Sequence, residues 1–354
     1  MAPLSILVLA SPVGPIGSGH GGGEEKMLCL CAAELARRGH RVSVIAPRHS
    51  RVPGATLIPV DGELQVGAQL GDRAERVTMP SDPVLAGMCD QARRLAPDHD
   101  VLLNFAYDWL PFYLTPFLPL PVAHWVTMAS LNDAMDRAIG EVAAHFPGTV
   151  AVCTRAQAET FPFADELCLL GAGIDLGEYE FCAEPEAYLA WAGRISPEKN
   201  LEDAAAAASA VRLPLMVMGL AQDPGYLARV RAAYPGVIEH AGFLPTSALQ
   251  QVLRRARALL VTPRWVEALG MVVLEALACG VPAVAYRRGG LAEIIRHGET
   301  GWLVTPDSVD ELSEGIRRAA DLDRRQCRAA AESEHDIRVV GERVERWLYQ
   351  VSRA

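Results

Sequence analysis

Short aliphatic runs alternate along the chain with longer stretches in which apolar residues recur every three or four positions. SILVLA, RVSVIA, VLLNFA and VAHWVTM read as buried strands of a first domain, and YLAWAG, PLMVMG, ALLVTP, VPAVAY and GWLV as strands of a second. Near-continuous aliphatic strands belong to parallel sheets covered on both faces by helices. Among the helical stretches, Gly23 to Arg38 puts Met27, Leu28, Cys31 and Leu35 on one face and stops before Gly39. NLEDAAAAASAV opens with Asn200 in the cap position and Asp203 in the first turn. The pattern lapses into acidic and aromatic residues from Leu176 to Tyr188, where a domain boundary is expected.

Composition supports two cores: 354 residues, 50% of them hydrophobic. A formal charge of -10 with no Lys/Arg-rich tract disfavours a nucleic-acid partner and points to small ligands. The 8 cysteines show no CxxC pair, and read as reduced core residues of a cytoplasmic protein. MAPLSILVLASP has a short apolar run and no basic start, which fits a first strand better than a signal peptide. Trp109 to Asn132 carries no Asp, Glu, Lys or Arg, but Pro111, Pro116, Pro119 and Pro121 interrupt it, so a loop feeding a strand is expected rather than a transmembrane segment.

Three stretches carry candidate chemistry. GSGHGG, Gly17 to Gly22, matches the GxGxxG pattern, yet it starts well past the strand end at Ala10, and RVSVIAPRHS offers no acidic residue for a ribose. A glycine loop leading to a helix N-terminus survives, suited to close approach of a phosphate. In GRISPEKN, Arg194 and Lys199 follow a strand and precede a helix; they suit a diphosphate, or simply a solvated turn. In VEALGMVVLEALACGVP, a helix is expected from Gly270 to Gly280, with Gly280 as the left-handed cap, Glu267 just before it and Glu275 inside it. Carboxylates in so apolar a stretch need partners: hydroxyls of an anionic ligand, or Arg264, Arg287 or Arg288.

GRISPEKNLEDA, the spacing to AGFLPTSALQ, and VEALGMVVLEALACGVPAVAYRRGGLAEIIRHGETGWLV resemble the C-terminal half of the retaining family 4 glycosyltransferases of GT-B fold, roughly over residues 188 to 320. The resemblance implies an α/β fold of two Rossmann-like parallel-sheet domains facing a cleft. Residues 1–180 would form an acceptor-binding domain, residues 181–335 a nucleotide-sugar domain, and residues 336–354 a helix crossing back to the first. It implies that Arg194 and Lys199 clamp the diphosphate and, with Glu267 at the sugar ring, carry catalysis. Glu275 would hold the ribose, the N–H groups near Gly270 and Met271 and the loop at Gly22 and Gly23 would meet phosphate, and the backbone from Gly242 to Leu244 would meet the base.

Fold relatives that use a metal rely on DxD. The two matches here, Asp98 to Asp100 and Asp321 to Asp323, read as a helix boundary and a solvated face, so no metal and no cofactor beyond the UDP-sugar is expected. His124 lies in the region where many relatives place an active-site histidine, though a few residues early, where this chain has Met128 and Ala129. It is a candidate acceptor contact or a core histidine.

SPVGPIGSGHGGGEE, NFAYDWLPFYLTPF, AQAETFPF and TPRWVEALG are similar to the cyanobacterial UDP-glucose:tetrahydrobiopterin glucosyltransferases. That likeness implies a hexose, glucose first, moved to a reduced pterin. Tyr107 and Trp109 would stack on the heterocycle and Asp108 would bond its N–H groups, unless Asp108 is only a cap in a hydrophobic loop. A nucleotide-sugar epimerase of this fold, a transferase for another sugar, lipid or small acceptor, and a non-catalytic nucleotide-sugar binder are the alternatives.

Overall fold

A computed structural model describes residues 2–18, 22–68, 71, 73, 74 and 78–353. The chain divides into two compact units, Met1–Ala172 with Ile337–Ala354, and Gly173–Asp336.

The first unit is built on seven strands: β1 (Ser5–Leu9), β2 (Arg41–Pro47), β3 (Thr56–Val60), β4 (Val101–Asn104), β5 (Val122–Trp125), β6 (Val150–Val152) and β7 (Cys168–Leu169). They lie in the order β3-β2-β1-β4-β5-β6-β7, and every pairing is parallel. The aliphatic runs explain this arrangement. Ile6, Leu7, Val44, Ile45, Leu102 and Leu103 are all fully buried, as strands covered on both faces must be. The helix Gly23–Arg37 buries Met27, Leu28, Cys31 and Leu35, the face expected of it. The final helix, Ile337–Val351, packs with this unit through buried Val340, Val344, Trp347 and Leu348, and its Trp347 indole donates to the Gly148 carbonyl at 2.7 Å.

The proline-rich segment before β5 is more ordered than a loop. It forms a helix, Trp109–Leu114, and one 3-10 turn, Thr115–Phe117, because Asp108 caps its start and its prolines fall where a helix tolerates them. Among the described residues, no helix is long and apolar enough to cross a membrane.

The second unit holds six strands: β8 (Leu189–Ala192), β9 (Leu215–Met218), β10 (Ile238–Gly242), β11 (Leu259–Val261), β12 (Ala283–Tyr286) and β13 (Gly301–Val304). Their order is β10-β9-β8-β11-β12-β13, again parallel throughout. This is the doubly wound order, and the chain reverses its direction of travel between β8 and β11. In sheets of this order the loops leaving the carboxyl ends of those two strands diverge, and the crevice between them is the usual ligand position.

Candidate active site

The loop after β8 contains Arg194, and a single 3-10 turn, Pro197–Lys199, brings up Lys199. Asn200 ends that turn in the left-handed conformation, φ 54°, and is fully buried. It occupies the expected cap position of the helix Leu201–Val211 with its bonding reversed: its amide donates to Asp203 at 2.7 Å instead of accepting a helix N–H. Asp203 also accepts from the Tyr286 hydroxyl at 2.6 Å, and the Thr262 hydroxyl donates to the Asn200 carbonyl at 2.7 Å. The Lys199 turn is thereby tied to β12 and to the end of β11.

The loop after β11 supplies Trp265 and Glu267. Lys199 Nζ donates to Glu267 Oε2 at 2.6 Å, and the Trp265 indole N–H donates to the same oxygen at 3.1 Å. Burial alone would raise the Glu267 carboxyl. Lys199, the Trp265 hydrogen bond and the charge of Arg194 outweigh it and hold the group below its ordinary range, so it is an acceptor-only carboxylate. Arg194 is buried, with a loose ion pair to Glu198 at 3.9 Å. The Glu267 backbone is fixed from the far side, where the Gly290 N–H donates to its carbonyl at 2.8 Å. Gly289 sits at φ 67°, and a Cβ there would lie 2.2 Å from the Glu267 carbonyl oxygen, so only glycine allows this approach.

Glu267 precedes and Glu275 lies within the helix Met271–Ala278, which begins after Gly270 at φ 95°. Gly280 closes it as expected: the Gly280 and Val281 N–H groups donate to the Leu277 and Ala276 carbonyls at 2.9 and 2.8 Å, a Schellman ending. The first N–H groups of a helix lack intrahelical acceptors, so the Gly270–Met271 corner offers donors close to Glu267. Glu275 is buried and accepts from the Tyr179 hydroxyl at 2.9 Å. Burial first, then the neighbouring Glu275 charge, pushes the Tyr179 phenol far up, so it stays a donor.

Arg194, Lys199 and Glu267 are therefore brought together at the switch point, with Gly270 and Met271 three and four residues beyond Glu267 in the chain. Leu244 lies elsewhere, in the loop after edge strand β10, and is half-buried. Trp265 and Tyr179 are not among the residues that motif and periodicity mark, nor is the bonding of Asn200 and Asp203 to each other and to Tyr286. Trp265 had a signal, its place two residues before Glu267; Tyr179 had none, since it lies 96 residues from its partner.

In the first unit, Gly22 precedes the helix Gly23–Arg37 at φ 62°, while Gly19, His20 and Gly21 lie outside the described residues. The first turn already carries two buried carboxylates, Glu24 and Glu25, and Glu25 accepts from the Gly17 N–H at 2.8 Å.

His124 is a core histidine, not an acceptor contact. It is fully buried in β5, stacked on Phe112 at 4.1 Å, with Asn104 at 3.1 Å from Nδ1 and Thr115 at 2.9 Å from Nε2. Burial pushes its pKa down to about 3. Both ring nitrogens are satisfied inside the core, which removes it as an acceptor contact. Asp108 is a half-buried cap whose Oδ1 accepts from the Leu110 N–H at 3.1 Å, and burial raises its carboxyl above the ordinary value. The Tyr107 hydroxyl lies 3.4 Å from both the Ala129 carbonyl and the Leu131 N–H, and Trp109 stacks on Tyr113 at 4.4 Å. Asp323 caps the helix Arg324–Glu334, and Asp100 accepts from the Ser5 N–H at 2.7 Å, so one carboxylate of each DxD match is engaged in the fold.

Residues 181–334 match the family described as Glycosyl transferases group 1. The chain is similar to the D-inositol 3-phosphate glycosyltransferase of Actinosynnema mirum, with 29% identity covering 88% of this chain and 87% of that one. It is also 32% identical to the glycogen synthase of Mycobacterium tuberculosis, over 48% of this chain and 44% of that one. Among solved structures, a glycosyltransferase involved in avilamycin A biosynthesis superposes with a TM-score of 0.76 at 21% identity, covering 99% of both chains. Anabaena HepE, solved in complex with UDP-glucose, gives 0.76 at 18% identity over 98% of this chain and 100% of that one. The two doubly wound units are the GT-B fold. The family match to group 1 glycosyltransferases thus covers the second unit, and the fold and the relatives over the whole chain agree with it.

Proposed function

We propose that the chain moves a hexose, glucose first, from a UDP-sugar to a small acceptor, with retention at the anomeric carbon and without a metal ion. The observation that carries this reading is the meeting of Arg194, Lys199 and Glu267 at the β8/β11 switch point. Breaking the anomeric C–O bond leaves its electron pair on the departing diphosphate and positive charge on the sugar. Two fixed cations favour the first, and an ionised carboxylate that accepts from sugar hydroxyls favours the second. The cations also do the charge neutralisation that a metal would otherwise supply. Glu275, aligned by Tyr179, is the ribose ligand, and the Leu244 backbone meets the base. The UDP-glucose bound to HepE, whose fold this chain shares, supports this donor.

A reduced pterin such as tetrahydrobiopterin is the acceptor to test first. The support is the aromatic row Trp109, Tyr113 and Phe117, of which Tyr113 and Phe117 are exposed. With Asp108 engaged as a cap, aromatic stacking rather than a carboxylate would dominate recognition. Incubation with UDP-glucose and a panel of pterins, inositol phosphates and simple sugars, read by mass spectrometry with and without EDTA, tests each element. A hexosyl product in EDTA with its anomeric configuration retained is expected. A donor converted to its epimer without any acceptor, or turnover only after manganese or magnesium is returned, overturns the corresponding part.

A further inference from the structure

We propose that Trp265 is the positioning residue of this site: its indole N–H and its ring face together hold Glu267 and Lys199 in the register that a departing diphosphate requires. The inference rests on the glycosyltransferase reading above and goes beyond it.

Trp265 touches three charged groups from two different loops. Its N–H meets Glu267 Oε2 at 3.1 Å, its ring centroid lies 4.6 Å from Lys199 Nζ, and the Arg194 guanidinium lies 5.9 Å from the same ring. A ring face attracts cations without neutralising them, and an indole N–H can only donate. Trp265 therefore orders an ion pair while leaving its charges intact. A lysine on a four-carbon stem paired only with a carboxylate would keep several rotamers. The indole wall removes them.

The bonding pattern also leaves a direction for ligand. Both bonds to Glu267, from Lys199 and from Trp265, fall on Oε2, so neither consumes Oε1. Oε1 is then the atom offered to a sugar hydroxyl.

A packing role explains these facts less well. The buried core of the second unit includes Trp191 and Tyr286 but not Trp265, which is half-buried between exposed Arg264 and Val266. A large aromatic side chain turned from the core and placed against two cations and a carboxylate fits a site better than a scaffold.

The test combines Trp265→Phe, Glu267→Gln and the double variant. Phenylalanine keeps the ring face and loses the N–H. Trp265→Phe is expected to lower kcat roughly tenfold, the worth of one charge-assisted hydrogen bond, while UDP affinity stays within about twofold. If Trp265 acts through Glu267, the double variant loses no more than Glu267→Gln alone, whereas a structural role predicts additive losses. Independently of activity, the Trp265 indole proton resonance, identified by its absence in Trp265→Phe, should shift in Glu267→Gln. An unchanged kcat in Trp265→Phe, additive losses, or an unmoved resonance overturns the role of Trp265. A wild-type protein that neither binds UDP nor transfers sugar overturns the underlying reading instead.

Discussion

Glu267 and Glu275 are chemically identical, yet the fold gives them opposite neighbours, a lysine ammonium and a tyrosine hydroxyl. Their effects should separate accordingly. Lys199→Ala is expected to lower kcat ~100-fold with UDP affinity less affected, because the lost charge matters most as the diphosphate departs. Glu275→Gln is expected to weaken UDP binding about tenfold and leave the chemical step nearly intact. Single-turnover kinetics beside UDP titration checks both, and the reverse pattern would exchange the two roles. His124 makes a prediction of another kind. Its folded pKa of about 3 lies below the ordinary value near 6.5, so the unfolded state binds the proton first. Its contribution to stability is full above the unfolded pKa and is lost as pH falls through the window between the two values, by about 1.4 kcal/mol per pH unit at the steepest. His124→Asn should be less stable at neutral pH but show a shallower fall between pH 6.5 and 4 in urea unfolding. Equal slopes for the two proteins would contradict the buried, neutral ring. The sequence offered Arg264, Arg287 and Arg288 as partners for the carboxylates because they are near in the chain. The actual partner of Glu267, Lys199, lies 68 residues away, a separation that the adjacency of β8 and β11 erases.

At the scale of elements, the strands legible in the sequence are those buried on both faces. YLAWAG, PLMVMG and VPAVAY are continuous apolar runs and became β8, β9 and β12. Those missed lack that signal: β3 and β10 are edge strands with half-exposed patterns, and β6 and β7 are too short to show a period. The helix ends were better marked, since Gly280 must supply a positive φ whatever surrounds it. What composition could not mark is how closely two loops approach, and Gly289 is the case in point. Gly289→Ala meets a backbone oxygen, whereas Gly298→Ala, at φ 82°, meets nothing within 4 Å. Gly298→Ala should therefore cost only the left-handed backbone penalty, about 1–2 kcal/mol. Gly289→Ala should cost more and should also lower kcat, because the clash displaces Glu267. Paired thermal melts and steady-state assays decide this, and equal losses of stability with equal activity would show that the Gly289 approach is not what fixes the loop.

For the molecule as a whole, chain order and spatial grouping disagree. The chain leaves the first unit at Ala172 and returns to it at Ile337, so the first unit is completed only by the last helix. That helix contributes buried Val340, Val344, Trp347, Leu348, Tyr349 and Val351. It also carries Glu345, which pairs with Arg38 at 2.8 Å and with His40 at 2.9 Å. Gly341 lies against the Glu34 side chain, where a Cβ would come within 2.4 Å of Cγ. Ending the chain at Asp336 would strip an apolar face from the first unit and expose its partners to water, at several large side chains of about 1.5–3 kcal/mol each. The second unit, Gly173–Asp336, keeps its sheet, its core and the set Arg194, Lys199, Trp265 and Glu267. Two units with separate cores need not unfold together. The truncated chain is therefore expected to lose the cooperative melt of its first unit, seen by calorimetry, while still binding UDP with an affinity near that of the full chain. Binding should in turn raise the melting point of the remaining transition, by the linkage of ligand to the folded state. Loss of UDP binding together with the first unit would overturn the second unit as a sufficient donor site.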